Sequence, residues 1–188
     1  NKNTRRVILQ IMSDFLNLKR LRNEKNTLES SYNCGGYALR TFSWYLPYST
    51  KDVDFEEEPN SMVAENLFFD GFSIEEIRQE ILNKNIDFML KDFSENLRVL
   101  RDINDLKDTE ELIAFKVGAD SVYDENGEFL YIDTDFHYRV FRDNVWLEKC
   151  GNGPIRLCDK IYDDIWEISG FCYNSETVFL AHNLENKI

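Results

Sequence analysis

Residues 136–149 read Phe136-His137-Tyr138-Arg139-Val140-Phe141-Arg142-Asp143-Asn144-Val145-Trp146-Leu147-Glu148-Lys149. Two β-rich runs flank Asp143-Asn144, a pair that tolerates the positive φ of a tight hairpin turn. The segment predicts antiparallel strands over 136–142 and 145–149, with Phe136, Tyr138 and Val140 on one face and His137, Arg139 and Phe141 on the other. The register sets His137 opposite Cys150. Glu148 and Asn152 become its diagonal neighbours on the same face. Working outward, period-two patterns predict further strands at 86–90, 97–101, 112–118, 128–132, 154–157 and 177–182, with a turn at Asp124-Glu125-Asn126-Gly127. Upstream the period is helical. Residues 4–22 carry one wide apolar stripe. A second helix is predicted over 34–46, stopped by Pro47. Asn60-Ser61 opens a short helix through Phe69, and Ser73-Ile74-Glu75-Glu76 reads as a capping box for a helix to Lys84. Helices first, then an antiparallel sheet over 86–182, give an α+β fold. No boundary divides residues 1–188, so one domain is predicted, with 1–30 as an N-terminal amphipathic helix and loop.

Composition narrows the function classes. Of 188 residues, 43% are hydrophobic and 14% aromatic, enough for a real core. No run of 18 apolar residues occurs, which argues against a membrane-spanning helix. Residues 1–50 carry 8 Lys/Arg against 3 Asp/Glu, whereas 51–188 carry 14 against 32. An acidic body repels phosphates, so nucleic acid is an unfavourable partner. The basic arm reads as a solvated helix face or as a contact for an acidic surface. The acidic stretch Asp52–Glu58 lacks EF-hand spacing and reads as a solvated loop. Cys34, Cys150, Cys158 and Cys172 form no CxxC pair and match no common zinc spacing. Reduced thiols in the cytoplasm are the default. The chain starts at Asn1 rather than Met, which leaves room for a removed leader and hence for secretion or delivery.

Two stretches carry chemistry. In Ser31-Tyr32-Asn33-Cys34-Gly35-Gly36-Tyr37-Ala38-Leu39 a polar loop runs into a thiol at the start of a helix. There the positive end of the helix dipole lowers the thiol pKa and favours the nucleophilic thiolate. Gly35 and Gly36 leave room for a substrate backbone beside the sulfur. The plainer alternative is a turn with a buried cysteine. The second stretch is the hairpin quoted above. His137 is a base, or else a sheet histidine satisfied by a carboxylate. Glu148 or Asn152 accepts its N–H and fixes its tautomer.

These segments resemble the papain-like superfamily of cysteine peptidases, nearer the compact bacterial and phage enzymes of the NlpC/P60 and CHAP kind. There a cysteine opens a helix, a histidine starts a strand of the following antiparallel sheet, and a polar residue sits on the next strand. Asn33-Cys34-Gly35-Gly36-Tyr37-Ala38-Leu39 is similar to the nucleophile segment. Asp135-Phe136-His137-Tyr138 with Trp146-Leu147-Glu148-Lys149-Cys150-Gly151 is similar to the histidine hairpin. The match covers about 30 of the 188 residues. No glutamine stands about six residues before Cys34, where a papain-type oxyanion donor sits. The resemblance implies a hydrolase of peptide or isopeptide bonds, with Cys34 as nucleophile, His137 as its ion-pair partner and no cofactor. Transfer or deamidation through the same acyl-enzyme is a close variant. The oxyanion would be held by the Cys34 N–H with Asn33 or Tyr32, although Asn33 also reads as a helix cap. A protein or peptide substrate follows, and the acidic body suits a basic one.

The remaining candidates are secondary. His182, in the last strand, is a competing base or a structural residue. Cys150 is an alternative nucleophile, and Cys172 reads as buried core. Trp44, Tyr45, Trp146 and Trp166 read as core or groove aromatics. A rival from another class is a non-catalytic acidic protein that inhibits a basic, nucleic-acid-binding partner by charge mimicry.

Overall fold

The computed structural model describes residues 31–48, 59–159 and 161–184. The amphipathic helix and loop assigned to residues 1–30 and the acidic stretch 52–58 lie outside them.

The strands pair antiparallel throughout. They are β1 (Leu97–Val99), β2 (Glu110–Tyr123), β3 (Phe129–Arg142), β4 (Val145–Lys149), β5 (Ile155–Leu157), β6 (Trp166–Ile168), β7 (Phe171–Tyr173) and β8 (Val178–Asn183). Six form one sheet in the order β1-β8-β2-β3-β4-β5, and β6-β7 form a separate hairpin. Asp143 and Asn144 take φ of 53° and 62°, as a tight turn requires, and Arg139 faces Glu148 in the ladder that follows. The register read from the sequence therefore holds. The predicted strands 128–132 and 136–142 are one strand. The β2 ladder runs unbroken through Asp120↔Asp133, Ala119↔Thr134 and Gly118↔Asp135.

Among the described residues the α-helices are α1 (Cys34–Ala38), α2 (Pro59–Phe69) and α3 (Ile74–Phe93). They cover one face of the sheet, where Ile77, Ile81 and Met89 of α3 join Phe115, Tyr138, Val140 and Leu180 in the main core. The capping box forms as read: Ser73 Oγ accepts the Glu76 N–H at 3.3 Å, and the Glu76 carboxylate accepts the Ser73 N–H at 2.8 Å. Between α2 and α3 the buried Asn60 and Asn85 carboxamides pair reciprocally at 3.2 and 2.9 Å, so neither is left unsatisfied.

Two boundaries differ from the sequence reading. Residues 86–90 are helix, not strand, and the sheet starts at Leu97. Ile86 and Met89 continue the stripe of Ile77, Ile81 and Leu82, and neither Gly nor Pro interrupts 74–93. The helix predicted over 34–46 is a single turn ending at Ala38. Arg40 and Phe42 take φ of 54° and 51°, so the chain folds back well before Pro47.

The opposite sheet face is covered by the β6-β7 hairpin. Trp166, Ile168 and Tyr173 pack there with Ile161 on Ala114 of β2. This second cover explains why β2 is buried continuously from Glu111 to Ala119 instead of alternating. Gly118 is what lets the hairpin approach: a Cβ there would overlap the carbonyl oxygen of Cys172. Lys116 is buried on this face, and its ammonium is satisfied by the carbonyls of Asp164 and, at 2.8 Å, Ser175. Among the described residues no helix is long and apolar enough to cross a membrane.

Candidate functional site

The β3–β4 ladder stops at Arg139↔Glu148, so residues 135–138 of β3 lose their β4 partner. A cleft of about 460 Å³ opens at this end of the sheet. One side is built by Asn33, Cys34 and the returning loop at Trp44, Leu46 and Tyr48. The other is built by Asp135 and His137 of β3 and by Cys150 and Gly151 just past β4. The β6-β7 hairpin contributes Phe171 and Tyr173. The volume is that of a small-ligand or side-chain site.

Asn33 sets the cysteine in place. Its side-chain Oδ1 accepts the N–H groups of Gly36 and Tyr45, each at 3.0 Å, and its Nδ2 donates to the Tyr45 carbonyl at 2.7 Å. It caps α1 and clamps the loop back onto it. Those duties assign Asn33 to the cap rather than to an oxyanion. Tyr32 is buried against Tyr37, at 6.4 Å between ring centres, and is not part of the cleft lining. The two glycines answer to the chain's own packing. A Cβ on Gly36 would overlap the Ser43 carbonyl, and one on Gly35 would stand 2.9 Å from that of Tyr45. Room for a substrate backbone is not needed to explain them.

Cys34 is buried, and burial pushes its thiol up to about 12, with Asp135 acting in the same direction. The N–H groups of Tyr138 and Gly35 act against this and are outweighed. The sequence predicted a lowered pKa from the helix dipole. A single five-residue turn supplies little dipole, and the loss of water dominates.

His137 is buried with its ring 5.3 Å from that of Tyr173 and 6.3 Å from that of Trp166. Its Nε2 lies 3.4 Å from Glu148 Oε2 without the alignment of a formed hydrogen bond. Burial lowers the His137 pKa, so the imidazole is neutral near pH 7; Glu148 acts in the opposite sense. Glu148 also receives Arg139 Nε at 2.9 Å and Arg156 Nε at 2.7 Å. Burial would raise the Glu148 carboxyl, but the His137 and Arg139 contacts outweigh it and hold it at about 2.

The structure thus brings Cys34, His137 and Asn33 to one cleft, with Glu148 behind His137. Asn152 does not join them: it is exposed in the turn after β4 and absent from the lining. Glu148 wins because it lies within the ladder, whereas Asn152 falls beyond its end. His182 is also elsewhere. It is buried in β8, opposite Leu97 and Glu111, with its ring 6.0 Å from that of Phe93. Cys150 lines the cleft as a half-buried thiol; Cys172 lies half-buried in β7 rather than in the core. Trp44 is half-exposed on the cleft wall, Tyr45 and Trp146 pack at the edges of the cores, and Trp166 is core.

Among the cleft residues that sequence reasoning left without a role are Asp135 and Tyr173. The Tyr173 hydroxyl donates to Asp135 Oδ2 at 2.5 Å. The available signal was position: Asp135 stands two residues before His137 on the same strand face. All four cysteines are free thiols. No group of three or more His, Cys, Asp or Glu side chains among the described residues is arranged to hold a metal ion. Comparison with protein-family models, with curated proteins and with solved structures finds no match to this chain.

Proposed function

We propose that the protein is a papain-like cysteine hydrolase of peptide or isopeptide bonds. The observation that carries this reading is the shared cleft: a cysteine opening a capped turn and a histidine backed by a buried, ionised glutamate line the same opening. The chain order Cys, His, acid and the helix-then-sheet architecture support it.

The resting pair is a neutral thiol and a neutral imidazole. With Nε2 turned to Glu148, the Nε2–H tautomer is favoured and Nδ1 keeps its lone pair. On substrate binding, Nδ1 takes the Cys34 proton as Sγ attacks the carbonyl carbon. Glu148 then stabilises the imidazolium at a fixed position. The Cys34 backbone N–H, a first-turn donor with no partner inside the helix, is the group assigned to hold the developing oxyanion. His137 returns the proton to the leaving amine, and water or another acceptor resolves the thioester. Transfer and deamidation use the same intermediate and differ only in acceptor and leaving group.

The test is acyl-enzyme trapping. The protein is incubated with a panel of peptide thioesters and peptidyl electrophiles, and adducts are mapped by mass spectrometry. A covalent adduct on Cys34, lost in His137→Gln, is expected. Adducts indifferent to His137 and spread over the four thiols would remove the hydrolase reading. The acidic charge-mimic rival would then gain, and it predicts binding to a basic partner that Cys34→Ala leaves intact.

A further inference from the structure

Glu111 and Glu148 are buried carboxylates with two guanidiniums each: Arg40 and Arg142 for Glu111, Arg139 and Arg156 for Glu148. Asp135 is partly buried in the cleft and has no guanidinium partner among the described residues. Its partners are the Phe136 N–H at 2.8 Å and the Tyr173 hydroxyl, both neutral. No Lys or Arg among the described residues pairs with it. His137 on the same face is neutral and turns its Nε2 to Glu148. A carboxylate removed from water without a counter-charge is costly, and an incoming cation relieves that cost. The walls around it carry Trp44, Tyr48, Phe171 and Tyr173, whose rings favour cations.

We propose that Asp135, held by Tyr173 and flanked by the aromatic walls of the cleft, is the recognition site for the cationic side chain of a Lys- or Arg-containing peptide. This rests on the reading of the cleft as a substrate cleft and names the class of substrate it takes. The net excess of 18 acidic residues over residues 51–188 draws such peptides toward the body of the protein. Asp135 is a specificity residue and does not take part in bond cleavage.

The test measures binding, so it does not depend on turnover. The full chain is titrated with N-acetyl-lysine methylamide and with its norleucine counterpart, which lacks the amine, and followed by NMR shifts of cleft residues. Preference for the lysine compound by at least about tenfold is expected, with shifts at Asp135 and Tyr173. Asp135→Asn, close in shape and checked for folding by circular dichroism, should abolish the preference. Equal binding of the two compounds overturns the proposal, as do absence of lysine binding at millimolar concentration and a preference that survives in Asp135→Asn. Failure of the hydrolase reading looks different: the lysine preference stands while no electrophile acylates Cys34. A Cys34 adduct formed equally from lysine and norleucine peptides removes the cation site and leaves the hydrolase.

Discussion

The state of the Cys34 thiol can be measured directly. Its pKa is displaced from 9.0 to about 12, chiefly by burial, so the folded chain should carry about a thousandfold less thiolate at pH 8 than the unfolded chain. Pulsed iodoacetamide labelling, with peptide mapping of Cys34 in native protein and in urea, reads that ratio. Slow access to a buried sulfur would also reduce the rate, so the pH profile is the sharper observable. The native rate should climb about tenfold per pH unit from 6 to 10 without a plateau. Asp135→Asn removes the second cause and should speed labelling at every pH in that range. A native rate that levels off near pH 7 and matches or exceeds the unfolded rate would refute the reasoning. It would show a thiolate–imidazolium pair formed at rest, with the turn and His137 overriding burial.

Replacing His137 by Gln should lower Cys34 acylation by about a hundredfold or more in stopped-flow trapping, with the circular dichroism spectrum unchanged. Glu148→Gln leaves Arg139 and Arg156 without their anion and should cost on the order of 3 kcal/mol. For a domain of this size that is a Tm lower by about 6–12 °C in calorimetry. Glu111 and Glu148 are both held at about 2, against an ordinary 4.5. Their contribution to stability is present above pH 4.5 and drains away as pH falls toward 2, so urea midpoints should drop across that window, and less so in Glu111→Gln. Gly36→Ala forces a Cβ into the Ser43 carbonyl and should destabilise the fold by about 1–3 kcal/mol in urea titration.

The β3–β4 hairpin was legible because Asp143-Asn144 accept a backbone that most residues resist, and the turn then fixes every pairing behind it. Ser73 and Glu76 were legible for a similar reason, since a capping box is a local contract between residues three apart. The single turn at Cys34–Ala38 was not. What ends it is Asn33 gripping Tyr45, twelve residues away, and no periodicity encodes that contact. The β6-β7 hairpin left one trace, the Ser169-Gly170 pair at φ 54° and 85°, between two three-residue strands too short to show a period. The thiol pKa was misjudged because burial belongs to the assembled fold, not to the segment. Asp135 resembled any acidic residue on a strand until the fold showed it half-buried with no Lys or Arg paired to it among the described residues.

Glu111 has a consequence for motion. Through Arg40 it fastens the chain just beyond the cysteine turn to β2, and through Arg142 it reaches β3. Asn33 fastens the same turn from the front. Moored fore and aft, Cys34 does not sit on a loose hinge, so amide hydrogens of Tyr37 and Leu39 should exchange as slowly as those of the central strands.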